Sequence, residues 1–171
     1  MIISLPPSDE IRSSLIGAIK ALRADRHALG FFNLSRQGFA RSFQSIWLIA
    51  IPYFIASFNH RHWLMVENDL SFETFPSALF FFVKILNITL DWLLLPFVLY
   101  FLTDRLSIKN QYLGFIIIRN WVAILSTWAA FLPTIAHVAN LISVQTMAGM
   151  QFGLIPVVLW WNYRVARISL K

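Results

Sequence analysis

Three charged residues of this 171-residue chain lie inside long apolar stretches. Lys84 and Asp91 share one helical face with Asn87, because their spacing is i, i+3 and i+7. Arg119 and Asn120 lie in the next apolar stretch, about nine residues of connection further on. A charge near the centre of a bilayer costs about 2.5–3.5 kcal/mol, so such charges are expected to pair. We therefore predict a contact between Asp91 and Arg119.

This intramembrane polar cluster has two alternative functions. It could be a proton or ion relay, or a counter-charge for a transported substrate. It could instead be a polar clamp that fixes the packing of two helices. One acid with two bases favours the clamp, and Lys84 could either share Asp91 or extend toward the outer interface.

The histidines and the absent motifs argue against catalysis. His60 and His62 flank Arg61, and His137 belongs to another predicted outer turn; the intervening cation disfavours zinc. The chain has no cysteine and no G-x-S-x-G, H-E-x-x-H, Walker A or G-x-G-x-x-G motif. We expect a protein that is not an enzyme and has no metal or other cofactor.

The composition identifies the class of protein. The chain is 58% hydrophobic and 13% charged, whereas a soluble domain is roughly 45–50% apolar and about 25% charged. The prediction is an all-α integral membrane protein with four transmembrane helices and an N-terminal amphipathic interfacial helix. Residues 1–34 form the interfacial helix and a linker, and residues 35–171 form the transmembrane domain. The predicted spans are 42–58, 75–102, 112–132 and 138–161.

The distribution of Lys and Arg predicts the orientation. Eleven of the 14 cations fall before the first span, between the second and third, or after the fourth, and Arg61 alone falls on the other side. Short cytoplasmic segments carry this excess. Both termini should be cytoplasmic, in a bacterial inner (plasma) membrane. The same distribution accounts for the net charge of +6 without nucleic acid as a partner.

The N-terminal segment combines an apolar stripe at helical spacing with the cations Arg12, Lys20, Arg23 and Arg26. A basic amphipathic helix binds anionic headgroups in the membrane surface. The alternative is that the stripe docks on the cytoplasmic ends of the spans or on a partner protein.

Gly149-x-x-x-Gly153 in the fourth predicted span allows close approach of helices. Packing within the monomer is the favoured interpretation, and a dimer interface is the alternative.

The order of features from Leu34 onward resembles the bacterial Yip1-like small polytopic membrane proteins. The matching stretches are Gly38-Phe39-x-x-Ser42-Phe43, Tyr112-x-Gly114-Phe115, Asn120-Trp121 and Trp161-x-Tyr163-x-Val165-Ala166-Arg167. That family typically has five spans, whereas four are predicted here. The resemblance implies membrane organisation or trafficking-type interactions, and no catalysis.

These patterns predict a non-catalytic membrane scaffold or accessory subunit of a membrane complex. Its partners would be lipids and other membrane subunits, or further copies of itself. The alternative is a small oligomeric transporter or channel that uses Lys84, Asp91 and Arg119.

Overall fold

The computed structural model describes residues 5–170, which form helices joined by short connections and contain no strand. Residues 1–4 and Lys171, which was counted among the cytoplasmic cations, lie outside this range. A short 3₁₀ helix, Arg26–Phe31, follows the first α-helix. The α-helices are α1 (Ser8–Leu22), α2 (Arg36–Gln44), α3 (Ile46–Glu67), α4 (Ser77–Leu102), α5 (Tyr112–Val138) and α6 (Val144–Ser169).

Three helical segments are long and apolar enough to cross a membrane: Arg36–Glu67, which combines α2 and α3, then α4, and then α5. They correspond to the first three predicted spans, of which the second was predicted to begin two residues before α4. At 26 residues α6 has sufficient length, but it is not among the three. Gln145 and Gln151 lower its mean hydropathy.

The helices alternate in direction around α5, which packs against all five other α-helices. Tyr53 contacts Lys84 and Arg61 contacts Ser77, so α3 and α4 are antiparallel. The connection at 139–143 likewise folds α6 back along α5. In the most apolar part of α5, 56% of the residues are buried, whereas in that of α4 only 11% are buried. The bundle therefore has α5 at its centre and α4 at its edge.

The connections differ from the sequence-based prediction at the end opposite α1. Helix α3 continues to Glu67, so His60, Arg61 and His62 are helical and not in a loop. The turn predicted at 133–137 lies inside α5, and the real connection follows it. Pro133 is accommodated within the helix, as membrane helices allow when neighbours satisfy the freed backbone groups.

Four helix ends share one backbone geometry. In each case the main-chain N–H after a left-handed residue bonds to a carbonyl five residues earlier, as in Asp25 to Lys20 at 3.0 Å and Leu141 to Ala136 at 2.9 Å. This is the Schellman arrangement, whose left-handed position is usually glycine. None of the four is glycine here; they are Ala24, Asp69, Ser107 and Asn140.

Helix α1 docks on the rest of the chain through its small residues. Its buried face consists of Ser14, Gly17, Ala18 and Ala21, and it packs on α5 and α6. A Cβ at Gly17 would lie 2.8 Å from Phe31 Cβ, so only glycine permits this approach. The predicted apolar stripe is divided, because Ile11, Leu15 and Leu22 pack against the core of the bundle whereas Ile16 and Ile19 are exposed.

Two polar contacts hold the ends of α1. Arg41 of α2 pairs with Glu10 in its first turn at 2.7 Å, and both side chains are less than 15% exposed. At the other end, Arg164 of α6 donates to the Leu22 carbonyl at 2.6 Å. A carbonyl in the last turn has no helical donor of its own, so the guanidinium satisfies it.

Candidate functional site

Arg119 links α4 to α5 within the apolar part of the bundle. Its Nη2 donates to the main-chain carbonyl of Asp91 at 2.9 Å, and its Nη1 donates to Asn120 Oδ1 at 3.2 Å. The guanidinium also lies over the Trp92 ring, 5.4 Å from its centroid. Arg119 therefore contacts Asp91 through the backbone and not through the carboxylate, which the sequence could not distinguish.

The polar chain continues from α5 into α2. Asn120 Nδ2 donates to Ser42 Oγ at 3.1 Å, and Ser42 donates in turn to the Phe39 carbonyl at 2.8 Å. Both Asn120 and Ser42 are fully buried. These hydrogen bonds satisfy buried polar groups and fix the relative position of three helices, as expected of a clamp. Sequence reasoning missed Ser42, although a serine inside the first predicted span was a visible signal.

Two members of the predicted cluster do not join this chain. The side chains of Asn87 and Asp91 are exposed on α4. Within residues 5–170, no Lys or Arg nitrogen lies within 4 Å of the Asp91 carboxylate. The same range offers Asn87 no hydrogen-bond partner in any other helix. The predicted five-residue cluster is therefore divided, with two of its members on the surface of the bundle.

Lys84 belongs to a different environment. Its Nζ lies 3.1 Å from His60 Nδ1 and 5.4 Å from the centroid of the Phe80 ring. Its carbonyl accepts a hydrogen bond from the Tyr53 hydroxyl at 2.8 Å. Of the two alternatives for Lys84, sharing Asp91 is excluded by this geometry.

A cavity of about 400 Å³ opens beside Lys84, between α3, α4, α5 and α6. Its polar lining includes His60 and His137, and one wall contains a hydrogen bond from Gln151 to Thr134 at 3.1 Å. Neither Asp91 nor Arg119 lines it. Lys84 therefore borders a cavity whose lining includes neither of the other two charges. Among the described residues, no three His, Asp or Glu side chains converge as metal ligands would.

Comparison with known proteins adds no functional assignment. Neither a protein-family model, nor a curated protein, nor a solved structure matches this chain. Any proposal about function therefore has to rest on the geometry of the described residues.

The two glycines of α6 lie on an open surface. A Cβ added to Gly149 or Gly153 would meet no atom within 4 Å in the described chain, and both residues are exposed. The expectation that they pack within the monomer is wrong. The alternative, a dimer interface, remains a prediction for this pair.

The four cations predicted to bind headgroups have different surroundings. Arg12, Arg23 and Arg26 are exposed, whereas Lys20 lies 3.4 Å from the Asp25 carboxylate. A hydrogen bond from the His27 main-chain N–H, together with Lys20, holds the pKa of Asp25 below its ordinary value. Asp25 thus remains ionised and neutralises part of the charge of Lys20, which leaves the three arginines as the available cations.

Proposed function

We propose that this protein is a non-catalytic scaffold or accessory subunit of a bacterial inner-membrane complex. It binds a transmembrane helix of another subunit along the edge of α4 that carries Asn87 and Asp91. The partner helix supplies a Lys or Arg, or several hydrogen-bond donors, at the depth of Asp91. The exposed arginines near α1 contact anionic headgroups.

The position of Asp91 carries this proposal. It lies in the middle of the most apolar helix, on the surface of the bundle, and no Lys or Arg nitrogen of residues 5–170 lies within 4 Å of its carboxylate. The neighbouring Arg119 bonds to its main-chain carbonyl instead. An ionisable residue inside a membrane almost always faces protein or a water-filled cavity, because contact with lipid is costly. A partner helix would shield the Asp91 carboxylate from lipid and make a specific contact with it.

The proposal includes four spans with both termini in the cytoplasm. Helix α6 is as long as α4 and runs back along α5, so it crosses the same thickness of membrane if α5 does. Its Gln151 side chain bonds Thr134 of α5 instead of facing lipid. The excess of Lys and Arg then lies on one side, together with α1.

The transport alternative has less support from the geometry. A relay needs its titratable groups along one path. Lys84 instead lines the cavity between α3, α4, α5 and α6, whereas Arg119 bonds to Asn120 and to the backbone of Asp91.

Site-specific photo-crosslinking in intact cells tests the proposed partner. A crosslinking amino acid at Leu94 lies on the side of α4 that carries Asp91, because the two are three residues apart. The same probe at Leu93 points about 100° away at nearly the same depth, and both leucines are exposed. We expect a discrete heterologous crosslink from Leu94 that is absent from Leu93 and is lost with Asp91→Leu.

Charge reversal then tests the chemistry of the contact. Asp91→Lys should abolish the crosslink, and an acidic residue in place of the partner's intramembrane cation should restore it. Crosslinks only between copies of this chain would contradict the accessory-subunit proposal. Equal crosslinking from Leu93 and Leu94 would show that the partner is not bound specifically along the side of α4 that carries Asp91.

A further inference from the structure

A second cavity lies at the end of the bundle where α1 finishes and α6 ends. Its volume is about 590 Å³, and it is bordered by three arginines: Arg26 from the 3₁₀ helix, and Arg164 and Arg167 from α6. Arg26 and Arg164, which are 138 positions apart in sequence, are thus brought to one site by the docking of α1 on α6. No acidic side chain lines this cavity.

The lining of this cavity combines the arginines with aromatic and aliphatic side chains. Arg164 is oriented by its bond to the Leu22 carbonyl and lies over the Trp160 ring, 5.3 Å from the centroid. Trp160 stacks with Tyr163 at 5.5 Å, and both rings are more than half exposed. Leu29 and Ile168 complete the apolar part of the wall. A ligand with an anionic group and an adjoining apolar part matches this lining.

The nearest acid along the chain does not neutralise the site. Asp25 precedes Arg26, but its carboxylate accepts from the His27 main-chain N–H at 2.9 Å and faces Lys20. Three guanidinium groups therefore face one cavity without an anion of the chain among its lining residues. Guanidinium groups bind phosphate oxygens through paired hydrogen bonds. Trp and Tyr favour the headgroup level of a bilayer.

We infer that this cavity binds the phosphate group of an anionic phospholipid from the cytoplasmic leaflet. Arg26 and Arg167 contact the phosphate oxygens, while Arg164 both contacts the phosphate and links α6 to the end of α1. The first acyl segment of the lipid lies against Trp160 and Tyr163. A bound lipid thereby stabilises the docking of α1 on α6. The inference rests on the membrane orientation proposed above, but not on the partner of α4.

Native mass spectrometry of the purified full chain in detergent tests the inference. The probes are phosphatidylglycerol, phosphatidylcholine with the same acyl chains, and inorganic phosphate. The double variant Arg26→Gln, Arg167→Gln removes two cavity cations whose own side chains are exposed. The matched control, Arg36→Gln with Arg105→Gln, removes two exposed cations outside the cavity.

We expect phosphatidylglycerol to bind in preference to phosphatidylcholine, and the cavity variant to bind it at least about tenfold more weakly, the ratio that 1.4 kcal/mol represents. The control variant should bind within about twofold of the unaltered protein, because single exposed cations add little to a specific site. Arg26→Lys with Arg167→Lys should fall between, since it keeps the charge but not the paired geometry.

Three results would overturn the inference. Equal weakening by both double variants would indicate diffuse surface attraction. Equal binding of phosphatidylglycerol and phosphatidylcholine would show that the site does not select an anionic headgroup. Displacement of the lipid by equimolar inorganic phosphate would indicate a free phosphate ligand. An unchanged melting temperature of the lipid-free cavity variant verifies that it is folded, and its crosslink from Leu94 reports separately on the partner of α4.

Discussion

Trp128 donates its indole N–H to the carbonyl oxygen of Leu48 at 3.1 Å. Leu48 is four residues before Pro52, which lies inside α3 and lacks the N–H that would bond this carbonyl. A side chain of α5 thus satisfies the backbone group that a proline of α3 leaves free. The pair joins the central helix to its parallel neighbour and allows a buried proline in a helix that is long and apolar enough to span a membrane.

Removal of this indole donor should destabilise the protein only while Pro52 is present. We expect Trp128→Phe to lower the free energy of unfolding by about 1 kcal/mol, the net worth of one hydrogen bond. In a Pro52→Ala background position 52 regains its N–H, so the same change should cost clearly less. Denaturant unfolding of the four proteins of this cycle in detergent measures the difference. An equal loss in both backgrounds would mean that Trp128 contributes by packing alone.

Asn120 and Ser42, which share a buried hydrogen bond, should be energetically coupled to each other. Ser42→Ala leaves the Asn120 amide without its acceptor in a fully buried place, which typically costs about 1–3 kcal/mol. Asn120→Leu removes the amide at similar volume, so adding Ser42→Ala to it should cost little. A coupling of about 0.5–1.5 kcal/mol in the double-mutant cycle is expected.

Ser126→Ala is the control for that cycle, because Ser126 bonds only to the Val122 carbonyl of its own helix. It should be close to neutral in both the unaltered and the Asn120→Leu backgrounds. Additive effects of Ser42→Ala and Asn120→Leu would contradict a clamp between α2 and α5.

The ion pair between Glu10 and Arg41 should determine whether α1 stays docked. Both side chains are largely buried, and removing one partner of a buried pair costs about 3–5 kcal/mol. Glu10→Gln should therefore release α1 from the bundle, make the peptide bonds after Arg12 and Lys20 susceptible to trypsin, and lower the melting temperature. Asp9→Asn is the matched control, since Asp9 is the exposed neighbour in the same turn. Equal trypsin resistance of the two variants would show that α1 docks without the pair.

Periodicity and composition predicted the helices, because an apolar stretch long enough to span a bilayer has few alternatives to a helix. The helices α4 and α5 were located to within a few residues, apart from the C-terminal end of α5. That end was misplaced because Pro133 and His137 indicate a turn, whereas the helix around them tolerates proline. Sequence polarity alone cannot distinguish a proline inside a membrane helix from one that ends it.

The candidate site was only partly predictable from the sequence, in its members as well as in its connections. The cost of burying the Arg119 charge predicted that it would find partners, and it does; Asn120 is hydrogen-bonded as well. Their partners include the Asp91 backbone and Ser42, and helical spacing cannot reveal main-chain acceptors or residues 78 positions away. The arginine cavity depends on α1 docking on α6, which was one of two alternatives that the amphipathic pattern left open.

Two substitutions of Ala24, the left-handed residue after α1, should change the stability of the protein in opposite directions. Ala24 has φ 59° and lies in the arginine cavity between Leu22 and Arg26. A left-handed backbone costs an L-residue about 1–2 kcal/mol, and the greater freedom of glycine in the unfolded chain offsets about 0.4–1 kcal/mol of the gain. Ala24→Gly should therefore raise the free energy of unfolding by up to about 1 kcal/mol, and Ala24→Val should lower it, because a branched side chain tolerates this region least. Thermal unfolding of both variants gives the comparison. Destabilisation by glycine would show that the Schellman turn after α1 is not adopted in the membrane protein.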